Sequence, residues 1–457
     1  VSALQEIADR LQGYDPQALP AATVLAFLEQ LVTPLEEEEA VATADALGRV
    51  LARDVVSPIS VPPHDNSAMD GYAFDGAQLA AGAALTLRVV GTALAGAAWQ
   101  GTVAPGECLK IMTGAILPAG LDTVVPQEFT RPAGDGAIVV PVGVVQPGDN
   151  RRLAGEDLMA GRPALSKGER LGPAACGLVA SLGLKSVPVL RRLRVAYFST
   201  GDEVLSLGEA PREGAVYDSN RYTVRALLAR LGCEVIDLGV VRDEPTALEQ
   251  AFRSAAARAD AIITSGGVSV GEADFTKAMM KQLGDVAFWK VAMRPGRPMA
   301  VGRIPAQASG TGSGGFAAGP PQGETAPPGG SEPRVAGSAG AILFGLPGNP
   351  VAVMVTFLAF VRPALLRMMG CRDTAPPPLL RARSQEPMRK KPGRTEYQRG
   401  IVSVAPDGGL QVRTTGNQGS GVLRSMAEAN GLIVLHHGQG SVAVGEPVDV
   451  MMFEGVL

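Results

Sequence analysis

The sequence predicts a multidomain α/β plus β protein. Its centre is an open, doubly wound α/β domain, with a helical and β-rich region before it and a small β-barrel-like domain after it. Three observations carry this reading. From Arg194 the chain alternates short apolar runs with helical stretches, the pattern of a mainly parallel sheet. Around 85–145, and again after Leu379, short β runs are separated by Gly and Pro instead. At 457 residues the chain exceeds one ordinary core, and its 46% hydrophobic content supports globular folding.

The first elements are helical. Leu4, Ile7 and Leu11 share one face, Leu25, Leu28 and Leu31 another, and Asp15-Pro16 separates them. The acidic run 36–39 reads as a solvated face, and a third helix is expected over 44–52. Residues 61–73 carry two acids, an amide and a hydroxyl without helical periodicity. They read as a loop, with a ligand contact favoured over a plain turn. Strands are expected at 85–90, 108–112, 123–126 and 137–142. Residues 150–157 mix two cations with two acids, either a surface ion-pair cluster or part of a site. A helix over 173–182 has Pro at its first turn and Gly183 beyond its end.

In the α/β region a strand at 195–198 leads to a helix at 221–231, capped by Asp218 or Ser219 and ended by Gly232. A strand at 235–241, a helix at 247–258, a strand at 261–264 and a helix at 275–283 follow. Further strands are expected at 286–291, 299–301 and 341–344, then a long helix from 351 to about 369. Residues 307–340 are mostly Gly, Ser, Ala and Pro, and are expected to be a disordered insertion. Pro376-Pro377-Pro378 marks a boundary before strands at 379–383, 397–404, 409–413, 431–435 and 447–453. The division is therefore 1–60 with 146–185, 61–145, 186–372 and 373–457.

Net charge is −4 and pI is near 5.6, which argues against a general nucleic-acid or membrane-surface binder. The four cysteines are far apart without a CxxC, and there are three histidines, so a structural zinc site is not expected. No signal peptide and no apolar run of membrane-spanning length are read, which makes a reducing cytoplasm the expected setting.

Chemistry collects after the strands. Ligands of a doubly wound sheet sit outside the carboxyl ends of its strands. Thr200, Gly201 and Glu203, then Asp243, then Ser265, Gly266, Gly267, Ser269 and Asp274 each lie between a strand and a helix, so they converge on one edge. The Gly- and Ser-rich 265–274 stretch suits a phosphate, and the acids suit a divalent cation between carboxylate and phosphate. A tight glycine turn capped by an acid is the competing reading of that stretch alone. Lys290, Arg294 and Arg297 bring cations after another strand. Pro347, Gly348, Asn349 and Pro350 open the long helix, a second place for backbone N–H groups to face an anion.

Six motifs occur in order: DNSAMDGYA at 65–73, IMTGA at 111–115, RRLAGED at 151–157, STGDE at 199–203, SGGVSVGEAD at 265–274 and GLPGNP at 345–350. Together they resemble the molybdopterin molybdenumtransferase family, called MoeA in bacteria and represented by the gephyrin E domain in animals. The resemblance covers nearly the whole chain except 307–340. It implies an α/β domain of molybdopterin-binding type and an elongated N-terminal region with an inserted β domain. It also implies a homodimer whose clefts combine both subunits. The implied reaction inserts molybdenum from molybdate into adenylylated molybdopterin with Mg²⁺, releasing AMP and forming molybdenum cofactor. Asp65, Thr113, Asp157, Glu203, Asp243 and Asp274 match its active-site positions, with Glu203, Asp243 and Asp274 expected at the metal. Ser67 is expected to hold an oxyanion, and Lys290, Arg294 and Arg297 to attract molybdate. In the last domain, 417–421 and Ser425 resemble a further motif expected near the cleft. Molybdopterin adenylyltransferase and molybdoenzymes are the implied protein partners. His64 stands where an aromatic is common and reads as a planar packing substitute. A Mg²⁺-dependent nucleotidyltransferase or phosphohydrolase acting on a pterin phosphate, and a gephyrin-like scaffold, are the competing functions.

Overall fold

The structure, a computed structural model, describes residues 2–80, 82–268, 275–306 and 340–453. Ser269, Asp274 and the 307–339 part of the insertion lie outside the described residues.

Helix α1 (Ala3–Arg10) starts at Ser2, whose hydroxyl accepts the Gln5 N–H and satisfies one orphan donor of the first turn. Helix α2 (Ala21–Leu31) buries Val24, Phe27, Leu28 and Leu31. Phe27 meets Trp289 edge-on at 4.9 Å and 81°, and the Trp289 indole N–H donates to the Tyr14 hydroxyl at 2.8 Å. The N-terminal helices therefore close one face of the α/β sheet.

The third helix expected over 44–52 is absent. A single 3-10 turn spans Thr43–Asp45, and Val50 and Leu51 form isolated bridges to Arg170 and Val189. The acidic run is exposed as expected, and its last two residues also open a strand. Glu38–Ala42 pairs antiparallel with Ser186–Leu190, a strand distant in sequence. Long-range pairing overrides the local pattern at 44–52 and adds a strand at 38–42. The 61–73 loop contains two short strands, Asn66–Ser67 and Gly71–Phe74. Asn66–Ser67 pairs with Arg151–Arg152, so the outgoing and returning chains meet at the base of the inserted sheet. That sheet has six strands, in the order Thr123–Pro126, Gly71–Phe74, Glu107–Ile111, Leu85–Ala93, Ala137–Val140 and Arg131–Gly134. Helix α3 (Pro173–Ser181) then leads back towards the α/β region.

The α/β sheet comprises β1 (Arg194–Thr200), β2 (Glu234–Val241), β3 (Ala261–Ser265), β4 (Asp285–Lys290), β5 (Pro298–Ile304) and β6 (Ala341–Leu346). Their order is β2-β1-β3-β6-β5-β4, with β2, β1, β3 and β6 parallel and β5 antiparallel to both neighbours. The chain passes from β1 to β2 on one side and returns to β3 on the other. The topological switch point therefore lies between β1 and β3. Helix α4 (Ser219–Leu231) is capped by Asp218 and ended by Gly232 at φ 84°. Helices α5 (Pro245–Arg258) and α6 (Phe275–Leu283) cover one face of the sheet. Helices α4 and α7 (Pro350–Met368) cover the other with the N-terminal helices.

Helix α7 corrects another expectation. It has 19 residues, and an 18-residue window of it has a mean hydropathy of 1.8, long and apolar enough to cross a membrane by length and composition. With 72% of that window buried inside the protein, it is the core helix of this domain. A π-helical stretch at Phe357–Val361 precedes Pro363, which has no N–H to continue the regular ladder.

The last region closes into a five-stranded barrel. Thr395–Val404, Leu410–Thr414, Leu380–Ser384, Pro447–Met452 and Gly431–Leu435 pair in that order, and Gly431–Leu435 pairs back to Thr395–Val404. Closure removes the sheet edges.

Phe27 is fully buried between the N-terminal helices and β4. Replacing it with Ala is expected to destabilise the α/β core by about 4 kcal/mol. The check is a lower urea midpoint followed by tryptophan fluorescence, and an unchanged midpoint would contradict this packing role.

Candidate active site

The carboxyl edge of the sheet is built by close backbone approach. At the end of β1, Ser199 and Thr200 are buried and Gly201 takes φ 136°, a value side-chain-bearing residues avoid. A Cβ on Gly201 would stand 2.6 Å from a Glu203 carboxylate oxygen, so that carboxylate folds back over the turn. After β3, Gly266 and Gly267 have φ values of 92° and 66°. Added Cβ atoms would lie 2.5 Å from the Thr200 carbonyl oxygen and 2.3 Å from the Thr276 Cβ. The two glycines are thus required by the tight turn, whatever it binds. The Gly266 N–H donates to the Leu346 carbonyl at 3.1 Å, so any anion donors of the turn come from residues after it.

Asp243 follows β2, is half-buried and accepts the Thr276 hydroxyl at 3.0 Å. This ties it to the first turn of α6, directly behind the Gly-rich stretch. A cleft of about 540 Å³ opens between the ends of β1 and β2, lined by Gly201, Asp202, Arg212, Val240, Arg242 and Glu244. Arg212 and Arg242 were not anticipated. Both lie in loops whose pattern, read locally, marks them only as solvated charge.

Lys290 ends β4, on the same edge but at the outermost strand. Its N–H donates to Pro16 and its carbonyl accepts from Leu19, so the N-terminal segment pins it. Arg294 and Arg297 are exposed, and Arg294 pairs through its backbone with Glu396 of the barrel. In the turn before α7, Pro347 is buried and Gly348 and Asn349 are exposed. The expectation of free N–H groups there needs one correction. Pro350 has none, and the Val351 N–H is taken by the Ser420 carbonyl at 3.1 Å.

That bond brings the 417–421 stretch against the helix start. Behind it Arg399 is fully buried, a residue the sequence did not flag inside its strand. It donates to the Ser425 hydroxyl at 2.9 Å and to the Asn417 and Gly419 carbonyls. Burial, with Arg294 adding repulsion, lowers its pKa to about 10, so it remains charged at neutral pH.

The N-terminal motifs form a separate cluster. Asp65 accepts the Ala154 N–H at 2.7 Å and pairs with the Arg151 guanidinium, and both hold its carboxyl below the usual range. Asp70, quoted within its motif but not picked out, accepts both the N–H and the hydroxyl of Thr113 at 2.7 Å. Those two bonds lower its pKa. Arg152 pairs with Glu156. The ion-pair reading of 150–157 is therefore correct for these residues, and Arg151 also orients Asp65. Ser67 is buried, and its hydroxyl donates to the Met69 carbonyl within its own turn. Asp157 is exposed, with its N–H bonded to Val61. His64 is exposed and does not act as the packing substitute expected of it. The described partners of Asp65, Thr113 and Asp157 all belong to this cluster. The partners described for Asp243 and Ser265 belong to the sheet edge.

Mg²⁺ is commonly held by one or two carboxylates plus substrate oxygens rather than by an all-protein cage. Among the described residues no group of three or more His, Cys, Asp and Glu could hold a metal. Glu203 and Asp243, hard oxygen donors after adjacent strands, fit the sparser pattern, and Asp274 lies outside the described residues.

Known proteins share this arrangement. Residues 19–183 match the MoeA N-terminal region (domain I and II), 196–367 a probable molybdopterin binding domain, and 381–453 the MoeA C-terminal region (domain IV). A Haemophilus influenzae protein named molybdopterin molybdenumtransferase is 38% identical over 430 residues, covering 94% of this chain and 97% of that one. A Nostoc protein of the same name is 34% identical over 441 residues, covering 95% and 93%. The crystal structure of a molybdopterin biosynthesis MoeA protein from Pyrococcus horikoshii superposes with a TM-score of 0.74 at 25% identity, covering 95% of this chain and all of that one. With its folded regions in the same order and the similarity running almost end to end, the chain belongs to the molybdopterin molybdenumtransferase family.

Proposed function

We propose that the chain inserts molybdenum from molybdate into adenylylated molybdopterin, releasing AMP and forming molybdenum cofactor. The observation that carries this reading is the convergence at one sheet edge of Glu203, Asp243 and the Gly266–Gly267 turn, within a chain of this family. The nucleotidyltransferase alternative requires the α/β cleft alone. It leaves the Asp65–Arg151 and Asp70–Thr113 pairs without a task.

In this reading the turn after β3 seats the phosphate of the adenylylated substrate. Glu203 and Asp243, with Asp274, would hold Mg²⁺, which when bound supplies charge neutralisation to the phosphoanhydride. Thr276 orients the Asp243 carboxylate. Lys290, Arg294 and Arg297 attract the molybdate dianion. Arg151 and Ala154 keep Asp65 ionised and oriented, and Asp70 holds Thr113 in place.

The two clusters act together if a second copy of the chain supplies Asp65, Thr113 and Asp157 to the α/β edge. Val56, Ile59, Leu153 and Met159, around the stem that carries this cluster, are 40 to 59% exposed, which supports a covering partner. The four regions bounded at 60, 145, 185 and 372, a cytoplasmic setting, and exchange with molybdopterin adenylyltransferase and molybdoenzymes belong to the same proposal.

Incubation with adenylylated molybdopterin, Mg²⁺ and molybdate should release AMP and yield molybdenum cofactor together; if neither appears, the proposal fails. Asp243→Asn and Asp274→Asn are each expected to lower turnover by at least about 100-fold with the fold retained. Near-normal AMP release by both would remove the metal-binding assignment. Chelation of Mg²⁺ should abolish turnover and its restoration should recover it. Separately purified Asp65→Asn and Asp243→Asn proteins should be inactive, whereas dissociated and reassembled mixtures should recover about a quarter of wild-type activity if sites combine two copies. No recovery in demonstrably mixed dimers would place both residues in a cleft of one chain.

A further inference from the structure

Three buried hydroxyls under the switch point have no task in the mechanism above. Tyr197, fully buried on β1, lies 2.8 Å from the Ser199 hydroxyl and 2.7 Å from the Ser265 hydroxyl, and the two serines are 3.2 Å apart. This ring joins the ends of β1 and β3 immediately before Gly266, with the buried Asp218 carboxylate beside it. Burying polar groups carries a desolvation cost, and well-packed apolar side chains would avoid it. The polar ring therefore does something that packing alone would not.

A second buried polar side chain acts on the neighbouring turn. Asn220, in the first turn of α4, donates its amide N–H to the Gly348 carbonyl at 2.7 Å, and its side-chain oxygen has no protein partner. Asp218 fixes that helix start by accepting the Arg221 N–H at 3.0 Å. Between the two turns runs the Gly266 N–H to Leu346 carbonyl bond. The Gly266–Gly267 turn and the Pro347–Pro350 turn are thus held from below by Tyr197, from the side by Asn220, and to each other by one backbone bond.

We propose that Tyr197 and Asn220 are positioning residues that fix the two glycine turns relative to each other, and through them the phosphate seat. Neither touches substrate. Tyr197 acts through Ser265, and Asn220 acts through Gly348. This inference rests on the phosphate-binding role assigned to the turns above.

The test uses Tyr197→Phe, which removes one oxygen, and Asn220→Ala, which removes the amide. AMP is the binding probe, and backbone hydrogen exchange at 266–268 and 347–351 is the structural readout. Each variant is expected to bind AMP about five- to tenfold more weakly. KM for the adenylylated substrate should rise by a similar factor, with KM for molybdate and kcat unchanged. Exchange should accelerate at both turns and not elsewhere along the sheet edge. Unchanged AMP affinity and unchanged exchange in folded variants would overturn the proposal. So would equal losses for both substrates accompanied by a general loss of protection. If Tyr197→Phe does not fold, Asn220→Ala decides. If the wild-type protein neither binds AMP nor turns over, the function proposed above fails, and the exchange pattern still decides whether these side chains hold the turns.

Discussion

The close approach of three backbone segments at the carboxyl edge of the sheet is the constraint on which the rest depends. Gly266 lies where any side chain would strike the Thr200 carbonyl, and Gly267 where it would strike Thr276. Because β1 and β3 are adjacent and parallel, their terminal residues meet at the switch point. The same approach ties α6 to Asp243 through Thr276. One steric requirement therefore positions the turn, the helix behind it and a carboxylate.

Charge is distributed so that it can be used without destabilising this edge. In the N-terminal cluster Asp65 is paired with the Arg151 guanidinium, whereas Asp70 is held by neutral donors, the N–H and hydroxyl of Thr113. At the sheet edge Asp243 accepts one hydroxyl hydrogen bond, from Thr276. Carboxylates satisfied by neutral donors retain negative charge for a cation, whereas an arginine partner would already have cancelled it. The arginine-paired Asp65 thus suits orientation, and Asp243 suits holding a cation.

The α/β fold was legible because its signals are local. Asp218 and Gly232 bound α4, Pro245 opens α5, and the apolar runs of β1 and β3 are short and buried. The failures came where a distant partner decides. Leu47, Val50 and Leu51 have a helical spacing, yet Val50 and Leu51 bridge to segments far along the chain. Glu38 and Glu39 are solvated as they look, but their strand pairing was not legible because the partner comes after the entire inserted sheet. The motifs located the glycine turns and most of the acids. They did not reveal that Ser67 uses its hydroxyl internally, that Ser420 occupies the Val351 N–H, or that Arg399 is buried behind the last loop. Those facts depend on which side of a strand or turn faces the core, and residue type alone does not set that.

Arg399 shows how the barrel is coupled to the cleft. Its guanidinium is fully buried, and the partners described for it are one hydroxyl and two carbonyls. Such partners satisfy hydrogen bonds but do not cancel charge, and Arg294 adds repulsion. The same carbonyl-lined stretch includes Ser420, which holds the Val351 N–H. Displacing the 417–421 stretch would therefore release both the helix start and the acceptors of a buried cation.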